Sequence, residues 1–159
     1  MRIIGIDPGT GILGFGVIEV THHSCKLVTA GVIRTAPHTS HEERLEEIFD
    51  GLTEIIAETQ PDQCSIEKLF FTNNVTTAMT VAEARGVAVL VAQKAKLPIA
   101  EYTPQQIKQS LTGYGKADKK QVQEMVRIQL GLRDVPQPDD CADALAAAIT
   151  HSLMTRFSD

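Results

Sequence analysis

Four acidic residues stand where they could do chemistry. Asp7 closes the apolar run Ile3-Ile4-Gly5-Ile6, and Glu67 closes Cys64-Ser65-Ile66. A carboxylate at the end of a buried strand is costly to ionise unless something compensates it. Asp140 and Asp143 are three residues apart at the start of the last helical stretch, so both carboxylates share one helical face. Asp139, four residues before Asp143, shares that face too, and spacing alone does not choose between Asp139 and Asp140. Such a set of hard oxygen donors suits Mg²⁺, which retains waters while bound to carboxylates. Two such ions about 4 Å apart can activate a water and stabilise the leaving 3′ oxygen in phosphodiester hydrolysis. Each acid also has an ordinary role open to it: a turn residue before Pro8-Gly9, a partner for Lys68, a helix cap.

Positive charge gathers elsewhere. Lys108, Lys116, Lys119 and Lys120 surround the Gly113-Tyr114-Gly115 break, where the backbone can approach a phosphate closely. The alternative is a solvated helix face, the usual fate of a charge run. Phe70 and Phe71 follow Glu67 directly and precede Thr72-Asn73-Asn74; one can stack on an unpaired base while the other anchors the loop. Arg85, inside an apolar helix, demands a partner, either an acid of the same chain or a residue across a subunit interface. The histidines are scattered, and His22-His23 is too isolated to form a metal site.

The elements that must position these residues read as βββαβαβααα. Strands are expected over Arg2–Asp7, Gly14–Val20 and Leu27–Thr35. Ser40 with Glu43 has capping-box spacing and opens a helix that Pro61 ends. A short strand, Asp62–Glu67, follows. Asn73 or Asn74 caps a second helix to about Lys96, apolar nearly all round over Val81–Val91 and so expected to be buried in the core or in a subunit interface. Pro98–Tyr102 is a further strand. Thr103-Pro104 with Gln106, and Asp118 with Gln121, open two more helices. Asp139 or Asp140 opens the last. Helices interrupting the later strands predict an α/β fold with one mixed five-stranded sheet, its later strands parallel and helices on both faces.

The chain is 159 residues long, which suits a single domain over 1–159. Its net charge of −5 tells against nucleic-acid binding as a whole-molecule sum, yet a local basic stripe can still bind DNA. No uninterrupted apolar run is long enough to span a membrane, and Cys25, Cys64 and Cys141 have no metal-ligand spacing and read as reduced thiols of a cytoplasmic protein.

Gly5-Ile6-Asp7-Pro8-Gly9-Thr10, followed by Gly14-Phe15-Gly16-Val17, resembles the opening of the RuvC family of Holliday junction resolvases. Ile66-Glu67-Lys68-Leu69-Phe70 looks like that family's second acidic motif, and Ala84-Arg85-Gly86-Val87 like the helix after it. Asp140-Cys141-Ala142-Asp143-Ala144-Leu145-Ala146, ending in Ile149-Thr150-His151, is similar to its C-terminal motif. The resemblance runs in order along essentially the whole chain. It implies an RNase H-like fold and a catalytic and metal-binding tetrad of Asp7, Glu67, Asp140 and Asp143, with Asp139 as a cap. It further implies Mg²⁺, two per site, with Mn²⁺ able to substitute, and a homodimer nicking two symmetric strands of a four-way DNA junction to leave ligatable 5′-phosphate ends. Lys119 and Lys108 align with basic residues near the active site, and Phe70 with an aromatic acting on junction bases; Lys116 and Lys120 are then plain phosphate contacts. RuvA and RuvB are the partners the resemblance implies. Two competing readings are a YqgF-like nuclease acting on RNA, which shares a Gly-Ile-Asp-x-Gly-Thr opening, and an actin- or hexokinase-like nucleotide-binding module, which would need a second lobe.

Overall fold

The computed structural model describes residues 1–22, 24–69 and 74–156. Five strands and five helices follow in the expected order: β1 (Arg2–Asp7), β2 (Ile12–Val20), β3 (Cys25–Arg34), α1 (His41–Thr59), β4 (Gln63–Glu67), α2 (Val75–Lys94), β5 (Ile99–Tyr102), α3 (Pro104–Thr112), α4 (Lys119–Gln129) and α5 (Asp139–Arg156). They form one mixed sheet in the order β3-β2-β1-β4-β5. The β1-β2-β3 meander is antiparallel, whereas β4 and β5 join in parallel through α1 and α2.

Alternation along the strands sorts the core into two layers. Ile4, Ile6, Leu13, Val17, Cys64 and Ile66 pack under α1 and α2, against Ile48, Leu52, Ala84 and Ala88. Ile3, Ile18 and Val20 face the other way, against Ile107, Val122, Val126, Leu145 and Ile149 of α3, α4 and α5. The capping boxes at Ser40, Thr103 and Asp118 all form, each satisfying backbone donors that the first turn would otherwise leave unpaired. Asn74 caps α2, accepting from the Thr77 amide, and Asn73 lies outside the described residues.

Two expectations shift. β2 and β3 each begin two residues earlier than their composition suggests, because the ladder runs on from Ile12↔Arg34 to Val20↔Cys25. The apolar helix α2 is buried on one side only, through Ala78, Ala84, Ala88, Val91 and Ala92, whereas Val75, Met79 and Leu90 are exposed. Among the described residues this helix alone is long and apolar enough by composition to cross a membrane. Its buried stripe packs into the core, and the two charges in its middle are paired within the chain: Glu83 accepts from His41 at 2.8 Å, and Arg85 pairs with Glu101 on β5.

Candidate active site

β1 and β4 are parallel neighbours in the register Ile6↔Ile66, so Asp7 and Glu67 emerge side by side at the same end of the sheet. Both face α5. Gly5, two residues before Asp7, lies against Ala144, and Ser65, two before Glu67, donates from Oγ to the Ala147 carbonyl at 2.8 Å. One step further back, Gln63 Oε1 lies 2.7 Å from His151 Nε2, and Tyr102 Oη meets the opposite ring nitrogen, Nδ1, at 2.7 Å. Each two-residue step along β4 therefore matches a four-residue step along α5. The distances agree, about 6–7 Å on the strand and about 6 Å on the helix. A further step in the same sense pairs Glu67 with Asp143, and Asp143 is the charged group that most raises the Glu67 carboxyl.

α5 comes this close because the sheet is bare beneath it. A Cβ on Gly5 would sit 2.0 Å from the Ala144 carbonyl oxygen, and one on Gly14 the same distance from that of Asp140. Gly14 pairs with Asp7 across β1 and β2, so the backbone of Asp140 lies directly over the neighbour of Asp7.

The electrostatics follow from that crowding. Burial, then Asp143, Glu67 and Asp140 in that order, push the Asp7 carboxyl up to about 8, with Lys119 pulling the other way. Glu67 is raised by burial and Asp143 against the opposing pull of Lys108 and Lys119. Asp143 is raised chiefly by burial, with Asp140 and Asp139 adding repulsion against the pull of Lys119. Lys119, which desolvation alone would lower, is held above its usual value by Asp143 and Asp139, whose carboxylates lie 3.2 and 3.3 Å from its Nζ.

Lys108 and Lys119 line a cleft of about 290 Å³ together with Glu67, Pro104, Asp118 and Asp143. Lys116 and Lys120 are exposed and stand outside it; Lys120 lines a separate depression with Tyr114 and Glu124. Phe70 lies outside the described residues. Asp139, expected as a cap, is instead the first residue of α5, and its carboxylate takes Lys119 and, at 3.1 Å, the Gln123 amide. Asp140, not Asp139, is among the charges that raise Asp7. Sequence reasoning missed Ser65, the Tyr102–His151–Gln63 chain and the Arg85–Glu101 pair. The signal for the close helix was available in Gly14 and Gly16, glycines two apart in a strand, which mark an approach by other backbone.

Among the described residues, no three His, Cys, Asp or Glu side chains are gathered closely enough to hold a metal ion by themselves. Mg²⁺ needs no such cluster, being bound by one or two carboxylates with water and substrate phosphate completing its shell. The donors are all oxygen, and burial together with repulsion from neighbouring carboxylates raises Asp7 and Glu67, a cost that a bound cation would relieve. The residues therefore fit a divalent ion in an open, substrate-completed site.

The family model for crossover junction endodeoxyribonuclease RuvC matches residues 3–151. A crossover junction endodeoxyribonuclease RuvC of Heliobacterium modesticaldum is 52% identical over 155 residues, covering 96% of each chain. That of Brevibacillus brevis is 50% identical over 157 residues, covering 99% of this chain and 95% of its own. Thermus thermophilus RuvC in complex with Holliday junction substrate superposes with a TM-score of 0.94 at 36% identity, over 99% of this chain and 96% of that one. The yeast mitochondrial Holliday junction resolvase shares the fold, with a TM-score of 0.70 at 11% identity over 98% of this chain and 82% of its own.

Proposed function

The chain belongs to the RuvC family of crossover junction endodeoxyribonucleases, an RNase H-like fold, and from that premise we propose how it cuts. The protein is an endonuclease that resolves Holliday junctions in recombination and repair. Its cutting centre is the cluster of Asp7, Glu67, Asp140 and Asp143. The observation that carries this reading is Asp7, a half-buried carboxylate at a strand end, raised by three others and beside a lysine-lined cleft. These four residues would hold two Mg²⁺ ions, with Mn²⁺ as a substitute, which supply Lewis acidity at the scissile phosphate and an acidified water. Lys119 stabilises negative charge that grows on the phosphate in the transition state, and Lys108 orients the strand within the cleft. Asp140 and Glu67 flank Asp7, so no single carboxylate bears the whole cationic load. The test is cleavage of a synthetic four-way junction with and without Mg²⁺ by wild type and Asp7→Asn. Loss of cutting with junction binding kept supports the assignment, and cutting by Asp7→Asn above about a tenth of the wild-type rate, about 1.4 kcal/mol of barrier, removes Asp7 from the centre.

The whole segment 1–159 works as one nuclease domain, in the cytoplasm and as a homodimer. The support for the dimer is on α2. Val75, Met79 and Leu90 are 65, 57 and 51% exposed, and with the open position Gly86 they fall within about 60° of arc at 100° per residue. Two such stripes packed together would orient a pair of cutting centres for symmetric nicks on a four-way junction, leaving 5′-phosphate ends for ligation. Leu90→Glu should shift the sedimenting species from dimer to monomer. RuvA and RuvB, the partners the family resemblance implies, would deliver the junction.

A further inference from the structure

A second cleft opens on the other side of Glu67. It holds about 290 Å³ and is lined by Asp7, Pro8, Glu67, Lys68, Leu69, Val81, Arg85 and Pro104. Glu67 and Pro104 line both this cleft and the one that holds Lys108 and Lys119, so the two depressions meet at the carboxylates. Cations thus stand on both sides of an acidic centre.

Arg85 is the unusual member. A guanidinium on an otherwise apolar helix face is expensive, and tying α2 to β5 does not require one. Glu101 takes Nη2, one of the three guanidinium nitrogens, and the buried Nε finds no acceptor among the described residues. The side chain remains one-fifth exposed, in the wall of the cleft. Lys68 is exposed at the same cleft, and its backbone is fixed by a 2.7 Å hydrogen bond from its amide to the Tyr102 carbonyl. An anion with several acceptor oxygens matches unspent guanidinium donors better than any single carbonyl does. Pro8, Pro104, Leu69 and Val81 supply the apolar remainder, suited to sugar faces.

We propose that this second cleft seats the phosphate that neighbours the cut on the same DNA strand, held by the Arg85 guanidinium and the Lys68 ammonium. The strand then crosses from the Lys108–Lys119 cleft, over the carboxylates, into the Lys68–Arg85 cleft. This rests on the reading of Asp7 and Glu67 as the cutting centre.

The experiment measures affinity for a synthetic four-way junction in Ca²⁺ across a salt series, after the cut has been mapped in Mg²⁺. Lys68→Ala and Arg85→Gln should each lose several-fold in affinity and flatten the log–log salt dependence by about one unit. Arg85→Lys should keep the slope and lose part of the affinity, because it keeps the charge but not the fork. Lys26→Ala, on β3 at the far edge of the sheet, is the control and should leave the slope unchanged. A methylphosphonate at the position next to the cut should weaken wild type, and Lys68→Ala should then cost no more. If Arg85→Gln fails to fold, Lys68→Ala with the methylphosphonate decides, since Lys68 is exposed. Salt slopes for Lys68→Ala matching those of Lys26→Ala, or additive losses with the methylphosphonate, overturn the proposal. If Asp7→Asn still cuts, it is the assignment of the cutting centre that fails.

Discussion

Replacing Asp7 by asparagine should stabilise the metal-free protein, and do so only when the pH is high enough to ionise the carboxylate. The native carboxyl titrates at about 8 against 3.8 for the free group, so the folded state holds this proton more tightly than the unfolded one. Stability from Asp7 is therefore greatest in acid, declines as pH rises above 3.8, and is fully lost above about 8. At pH 7 the gap spans roughly three pH units at about 1.4 kcal/mol each, about 4 kcal/mol before any relaxation of the site. Allowing for that relaxation, Asp7→Asn should gain on the order of 2–4 kcal/mol near pH 8 and under about 1 kcal/mol near pH 4.5. For a chain of this size each kcal/mol moves the Tm by about 2–4 °C. Thermal unfolding in a chelating buffer, followed by circular dichroism at both pH values, reads the difference directly. Added Mg²⁺ should raise the wild-type Tm near pH 8 and close most of the gap to the variant. A variant no more stable than wild type at pH 8, or a gap that does not shrink on acidification, would refute the crowding argument at its base.

Three further outcomes follow from the same geometry. Asp140→Asn should be as damaging to cleavage as Asp143→Asn, whereas Asp139→Asn should cost a few-fold at most, because its carboxylate is spent on Lys119 and Gln123; a dead Asp139→Asn would mean that α5 lies in another register. Ca²⁺ should support junction binding without cutting, since its looser coordination screens the carboxylates but does not hold the geometry of two-ion hydrolysis, and efficient cutting in Ca²⁺ counts against that chemistry. Lys119→Ala should lower the single-turnover rate at saturating protein more than the affinity in Ca²⁺, and Lys120→Ala the reverse; if Lys119→Ala loses affinity but keeps its saturated rate, the side chain is a positioning contact.

The helix starts were legible because a capping box is a local event. Ser40 with Glu43, Thr103 with Gln106 and Asp118 with Gln121 need nothing beyond three residues of chain. Asp7 and Glu67 were legible as acids at strand ends, and family resemblance joined them to α5. The choice between Asp139 and Asp140 was not legible from spacing, since offsets of three and four share a helix face. What separates them is tertiary: Gly14 beneath the backbone of Asp140, and Lys119 drawn to Asp139. The partner of Arg85 was hidden for the same reason, Glu101 being on β5 and sixteen residues away. A helix apolar on nearly every face, such as α2, carries no direction in its sequence, so its one-sided burial had to come from the sheet it meets. The RNA-directed alternative shares the Asp7 opening, whereas the RuvC family model matches the chain from residue 3 to residue 151.

The contact between α5 and the sheet is smooth. Ala144, Ala147 and Ala148 lie against the paired residues Gly5 and Ser65, and Ser65 donates to a backbone carbonyl, a group every turn of the helix offers. A slide of one four-residue step would carry Asp139 to the place of Asp143 and meet little in the alanine stretch to oppose it. His151 is different, because only an imidazole at that point joins Gln63 to Tyr102 through its two ring nitrogens. Leu145 and Ile149 seat the middle of the helix by packing alone, which any apolar residue can do, and the one specific stop is at the end remote from the carboxylates. Alignment of an acidic pair at one end of a helix is then governed by a neutral hydrogen-bonded ring two turns away, and substitutions there would be felt as mistimed chemistry before they were felt as lost fold.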